Sequence, residues 1–241
     1  MSRTAATVLA VGLVAASPLA ASASGLEVRL GALFPRAQSD LFSDDATLYT
    51  PHSRAKECTP TDCPPVRKSD WIGVYGGAEF SFGVAPHAEL ALSVDGYSRR
   101  IPTSYRAHVH SDGSEIRQTL KLTIVPVGVS LRLLGGDRHS AIAPYLTVGG
   151  DVFFYKYEEF GEFIDFFQDD LPISTDAFRS EGAIFGGHAA AGLRVPLGDD
   201  FAITGEVRYQ YAPTRRMNDD FNLNRIDVSG ASATIGFRLR F

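Results

Sequence analysis

From position 231 onward the odd residues read Ala231, Ala233, Ile235, Phe237, Leu239 and Phe241, and the even residues read Ser232, Thr234, Gly236, Arg238 and Arg240. Side chains alternate between the two faces of a β-strand, so this is a strand with one apolar and one polar face. An apolar strand at a free sheet edge invites pairing with other chains. Closing the sheet into a barrel removes the edge, and in lipid the outer face of that barrel must be apolar.

Seven further segments read as strands: 25–34, 71–82, 88–97, 118–134, 141–157, 183–197 and 201–211, with the eighth at 226–241. The links between them alternate. Those at 35–70, 98–117, 158–182 and 212–225 are long and polar, whereas 83–87, 135–140 and 198–200 are short and rich in Gly, Asp and Pro, the residues tight turns use. Long loops on one side and short turns on the other predict an all-β fold, an eight-stranded antiparallel up-and-down transmembrane barrel. No stretch approaches eighteen apolar residues, so no helical span is expected.

The lumen side follows from the alternation. Its acids are Glu27, Glu79, Glu89, Asp95, Asp151 and Glu206, and its bases Arg29, Lys121, Arg132, Arg194, Arg208 and Arg238, with His188 among them. A barrel of eight strands is only wide enough for its own side chains, so these groups have to pair into a plug. A conduit for small ions is the competing reading. The fourth segment changes phase: Leu120, Leu122 and Ile124 are even, and Val127, Val129, Leu131 and Leu133 are odd. A β-bulge at Val125-Pro126 would restore one apolar face; a strand end at Pro126 is the alternative.

Aromatic residues collect near segment ends, with Trp71, Tyr97, Phe153, Phe154, Tyr155, Tyr157, Tyr209 and Tyr211 toward the long links and Phe82, Phe201 and Phe241 toward the short ones. Those facing outward would form interfacial girdles. In the third long link, Phe160, Phe163, Ile164, Phe167 and Leu171 fall at helical spacing before Pro172, which predicts a short amphipathic helix resting on the barrel mouth or the membrane surface. A continued strand is the alternative there.

Residues 1–23 have the layout of a secretory signal peptide: Arg3, an apolar run, a break at Ser17-Pro18 and a small-residue site at Ala21-Ser22-Ala23. That leaves one barrel domain at 24–241, of about 218 residues. The formal charge of −5 argues against a nucleic-acid partner. Cys58 and Cys63 flank a proline-stiffened loop and are expected to form a local disulfide in an oxidising compartment; nothing nearby completes a zinc site.

The segments Ala143-Pro-Tyr-Leu-Thr-Val-Gly-Gly-Asp151, Phe185-Gly-Gly-His-Ala-Ala-Ala-Gly-Leu193, Glu206-Val-Arg-Tyr209 and Gly236-Phe-Arg-Leu-Arg-Phe241, in that order, resemble the small bacterial outer-membrane β-barrel superfamily. That group includes the OmpA transmembrane domain, OmpX, OmpW and the opacity proteins. The resemblance implies location in the outer membrane after export through the periplasm. It also implies lipid and lipopolysaccharide as surroundings, contact with periplasmic chaperones and the barrel-assembly machinery, and an assembly signal at Ile235, Phe237, Leu239 and Phe241. A monomer is expected, with no cofactor and no metal. Members serve as structural proteins, adhesins or solute conduits. A structural or loop-mediated surface-binding role is expected, and a conduit for small hydrophobic solutes is the alternative.

Lipid A-modifying enzymes also resemble this architecture and use His with Ser and an acid. The candidates here are His108, His110, Ser111 and Asp112, whose bland reading is a solvated turn. No phosphate-binding loop, dinucleotide fingerprint, zinc-protease helix or EF-hand pattern occurs. Glu158, Glu159, Glu162, Asp165, Asp169 and Asp170 read as a solvated acidic face rather than a cation site.

Overall fold

Alternating segments long enough to cross a bilayer have one way to satisfy every main-chain group in lipid, which is to pair into a closed ring. In the computed structural model, which describes residues 24–36, 45–49, 65–136, 141–221 and 224–241, they do so. The strands are β1 (Ser24–Pro35), β2 (Asp45–Tyr49), β3 (Pro65–Val66), β4 (Gly73–Ala85), β5 (Ala88–Val109), β6 (Glu115–Leu134), β7 (Ala143–Ile164), β8 (Ile173–Pro196), β9 (Phe201–Tyr211), β10 (Arg215–Arg216), β11 (Arg225–Ile226) and β12 (Gly230–Arg240). Eight of them close a barrel in the order β5-β4-β1-β12-β9-β8-β7-β6, with β6 returning to β5. Every pairing is antiparallel. The proposed signal segment at 1–23 and the pair Cys58 and Cys63 lie outside the described residues.

Over the lower part of the barrel the outer face is apolar, as the alternation requires. Leu26, Val28 and Leu30 of β1, Leu146 and Val148 of β7, and Ile203 and Val207 of β9 are all exposed. The residues between them on β1 and β9, such as Glu27, Arg29, Thr204 and Glu206, are buried inside. Strands β9 and β12 have 11 residues each, about what one tilted crossing of a bilayer needs. Strands β5, β7 and β8 have 22, 22 and 24, so they continue well beyond the membrane.

That extension corrects three expectations. The links at 98–117 and 158–182 are mostly strand: β5 and β6 are joined by a turn at 110–114, and β7 and β8 by one at 165–172. The helix expected on Phe160, Phe163, Ile164, Phe167 and Leu171 does not form. Instead β7 stays paired with β8 without a register shift from Ala143↔Arg194 to Ile164↔Ile173. Phe163 packs edge-on against Phe178 at 4.9 Å, Ile164 is buried, and Phe167 stands fully exposed at the hairpin tip. The ladder joins the two strands through their facing main-chain groups, and the aromatic residues of the two strands also pack against each other.

The phase change in β6 is not a bulge or a strand end. The pairs Val125↔Phe154, Pro126↔Phe153 and Val127↔Val152 run through it in unbroken register. What changes is the surroundings. Across β5, β6, β7 and β8, the outward row Val94, Val127, Val152 and Phe185 is followed toward the long-strand end by Ser98, Thr123, Lys156 and Glu181, and then by Arg100, Lys121, Glu158 and Arg179. Inside, the polar row of Ser93, Gly128 and Asp151 gives way to Tyr97, Ile124 and Tyr155. Both faces reverse polarity at one level, because the barrel leaves lipid there and continues as a water-soluble sheet with an apolar core.

This boundary yields the first prediction. Val129→Lys places a cation in the lipid-facing band and should cost about 2–4 kcal/mol. Thr123→Lys, on the same face but above the boundary, should stay within about 0.5 kcal/mol. Urea unfolding of the protein in lipid vesicles measures both.

Candidate functional site

The lumen at membrane level is filled by a connected layer of ions. Arg29 holds Asp95 through Nε (2.8 Å) and Nη2 (2.6 Å), and reaches Glu79 with Nη1 at 3.1 Å. Arg132 approaches the other oxygen of Glu79 at 2.7 Å, so one carboxylate is clamped between two guanidinium groups. Arg208 joins Glu206 (3.0 Å) and Asp95 (3.3 Å). Toward the short-turn end Arg194 makes a two-pronged bond to Glu89 at 3.0 and 2.9 Å, and Arg238 donates to Glu89 at 3.2 Å and to Ser81. Glu27 accepts from Thr204 at 2.9 Å and lies 4.0 Å from Arg238. All these side chains are buried.

A separate pair stands in the wall between β7 and β8. His188 Nδ1 and Asp151 Oδ2 are 2.6 Å apart. Gly128 makes room for it: a Cβ there would lie 2.0 Å from Asp151 Oδ1. The acids in the lumen are thus Glu27, Glu79, Glu89, Asp95, Asp151 and Glu206, facing Arg29, Arg132, Arg194, Arg208 and Arg238 with His188. Lys121 is not among them. It sits on the outer face, 3.0 Å from Glu158, because β6 keeps its register through Pro126.

Above the ions lies the apolar core, and here the loops enter. Trp71, from the short helical turn Lys68–Trp71, is completely buried; its carbonyl accepts from the Tyr97 hydroxyl and its ring lies 6.2 Å from Tyr157. Phe221, from the turn Asp219–Phe221, also packs on Tyr157, at 5.2 Å. Leu33, Tyr75, Leu122, Ile124 and Phe153 pack beneath them. So Trp71, Tyr97, Phe153, Tyr155 and Tyr157 line the interior rather than a girdle, while Phe154, Tyr209 and Tyr211 face outward. At the opposite rim Phe201 stacks on Phe237 at 5.4 Å, and Phe80 neighbours Phe241 at 6.2 Å. Ile235, Phe237, Leu239 and Phe241 are all on the outer face.

Among the interior residues the sequence reading passed over is Tyr145, whose ring carries the Arg132 guanidinium at 4.6 Å. Its odd number on β7, in phase with Asp151, was the available signal. Nothing local distinguishes Trp71 or Phe221 as stoppers, since both belong to loops.

The candidate catalytic residues do not converge. Asp112 accepts from the Ser114 amide (2.9 Å) and hydroxyl (2.7 Å), His110 pairs with Glu162 at 3.1 Å, and His108 packs its ring on Phe166. The acidic face is likewise engaged locally. Glu162 is held below the usual carboxylate range, first by the Arg117 amide and then by His110, and Glu158 by Lys156 and Lys121. Glu159 accepts from Tyr157, and Asp165 from the Phe167 amide and Gln168. Asp169 and Asp170 are exposed in the β7–β8 turn. Among the described residues no cluster of three or more His, Cys, Asp or Glu side chains is arranged to hold a metal ion.

Neither the family models nor the curated proteins contain a match to this sequence. Among solved structures, the N-terminal β-barrel domain of OprF from Pseudomonas aeruginosa is 12% identical, with 90% of this chain and 97% of that chain covered and a TM-score of 0.42. Neisserial surface protein A gives 13% identity, coverage of 91% and 97%, and a TM-score of 0.45. The outer membrane protease OmpT from Escherichia coli gives 7% identity, coverage of 92% and 97%, and a TM-score of 0.41. They are outer-membrane barrels, the group that the sequence resembles. The eight-stranded ring itself is set by the strand pairings of this chain.

Clamping Glu79 between two arginines has a measurable consequence. Glu79→Gln leaves Arg29 and Arg132 short of a counter-charge in a buried layer and should cost about 3–5 kcal/mol. Glu181→Gln, which removes an exposed partner of Arg179, should cost under about 1 kcal/mol. Chemical unfolding in vesicles, read on both variants, checks the difference.

Proposed function

We propose that this protein is an integral outer-membrane barrel with a closed lumen, whose work is done by the sheet it raises outside the membrane. The observation that carries the reading is the double seal. Ions filling the lumen at membrane level are followed by an apolar core capped by Trp71 and Phe221, so a solute would have to part both. A plug built from the barrel's own side chains suits a scaffold, not a conduit. The polar outer face above the boundary, where Arg100, Lys121, Lys156 and Arg179 are interleaved with Glu158 and Glu181, suits the hydrated surroundings beyond the apolar band. The outward set Ile235, Phe237, Leu239 and Phe241 is the surface we assign to the assembly machinery.

Two measurements test this. In planar bilayers the purified protein should give no reproducible conductance step; a reproducible channel would restore the conduit reading. Cells displaying the protein should retain extracellular partners that cells displaying a barrel with shortened β5–β6 and β7–β8 hairpins do not. Equal retention by both would remove the surface-binding role.

A further inference from the structure

Strand β8 is paired with β9 only from Gly187 toward the short-turn end, whereas its pairing with β7 extends up to Ile173. One edge of residues 173–186 therefore has no barrel strand beside it. The lower half of that edge is covered by the last loop: Arg215 donates to the Ala183 carbonyl at 2.6 Å and Asn218 to the Arg179 carbonyl at 2.9 Å. These contacts also show that the odd residues turn their main-chain groups away from β7, as alternation along an antiparallel ladder requires. Above Arg179, the main-chain groups of Ile173, Thr175 and Ala177 face outward, and among the described residues no strand meets them. The Ala177 amide donates to the neighbouring Asp176 side chain, at 2.7 Å.

We propose that this edge, from Ile173 to Phe178, is a docking site for an extended basic peptide segment of an extracellular protein, which adds to the sheet as a further strand. The proposal rests on the surface-binding reading above and names its partner class. Six residues of strand offer roughly 20 Å of ladder. Main-chain bonds supply the attachment in this mode, and side chains supply the choice of partner. The choice here is set by charge. From Glu158 to Phe178 the chain carries seven carboxylates and neither Lys nor Arg. Asp169, Asp170 and Asp176 are exposed around the edge, with Phe167 and Ile173 exposed beside them. A second copy of this chain would bring the same acids against them, so self-pairing is disfavoured and a strand alternating basic with apolar residues is favoured. Its basic side chains would draw Asp176 off the Ala177 amide and free that donor for the ladder.

The test uses the full protein in nanodiscs of zwitterionic lipid and a ten-residue peptide alternating lysine and valine. The peptide should bind, protect the Ile173, Thr175 and Ala177 amides from hydrogen exchange, and bind at least tenfold more weakly to Thr175→Pro. That variant removes only an outward amide, so β7–β8 pairing should persist. Should Thr175→Pro fail to fold, the same peptide N-methylated at alternate residues serves against the unaltered protein, and binding should again fall at least tenfold. Equal binding of the N-methylated peptide would mean attraction by charge alone and overturn the proposal. A concentration-dependent dimer that Thr175→Pro dissolves would assign the edge to a second copy and overturn it too. Absence of peptide binding while hairpin-dependent retention by cells persists would overturn the edge site and leave the surface-binding function standing.

Discussion

Glu79 between Arg29 and Arg132 is the contact on which the interior turns. A narrow barrel in lipid has an inside that must be filled and an outside that must be apolar, so the polar residues of every strand are driven together. Isolated, each charge would face a desolvation cost of several kcal/mol. Joined through Glu79, Asp95, Glu206 and Glu89, with Arg132 bridging to Glu89 at 3.6 Å, the five arginines become one network spanning β1, β4, β5, β6, β8, β9 and β12. A change of register in any of these strands would move a charge to the lipid face, so the network also fixes the alignment of the ring.

The second organising fact is that the chain sets an open sheet of inverted polarity on top of a closed barrel. Below the level of Val125 and Pro126 it is polar inside and apolar outside; above it the order is reversed. The backbone passes through this level without irregularity. Pro126 is tolerated there, buried inside and paired with Phe153, instead of marking a break. The inversion explains why the interior aromatics cluster at one end: Tyr97, Phe153, Tyr155 and Tyr157 are the core of the soluble half, and Phe154, Tyr209 and Tyr211 mark the outside of the membrane half.

The membrane half was legible because its two faces differ so sharply. Leu26, Val28 and Leu30 against Glu27 and Arg29, or Ile203 and Val207 against Thr204 and Glu206, admit one assignment, and the lumen ions follow from it. The soluble half was misread for the same reason. With apolar residues assigned to the outside, Leu120, Leu122 and Ile124 fall in lipid and Lys121 in the lumen, and the charged outer faces of β5 and β7 pass for loops. The aromatic spacing from Phe160 to Leu171 fits a helix equally well on paper; what decides for strand is the long-range ladder to β8, which no local window contains. Trp71 and Phe221 could not be found as stoppers, since their place depends on where two separate loops fold back.

Unequal strands have a consequence for the outer surface. A ring closes only where all eight strands are present, and β9, β1 and β12 end near the boundary while β5, β6, β7 and β8 continue. What continues is therefore an open sheet, and an open sheet has two edges. On the β5 side the first loop supplies β2, pairing Leu48 with Tyr105 and Tyr49 with Ser104, and β3 follows it. On the β8 side the described residues of the last loop meet Arg179 and Ala183 with side chains instead of a strand. Growth of β7 and β8 past that reach leaves a length of ladder that the chain's own described residues do not complete. Acids lining such an edge disfavour pairing with an identical copy and favour a strand of opposite charge.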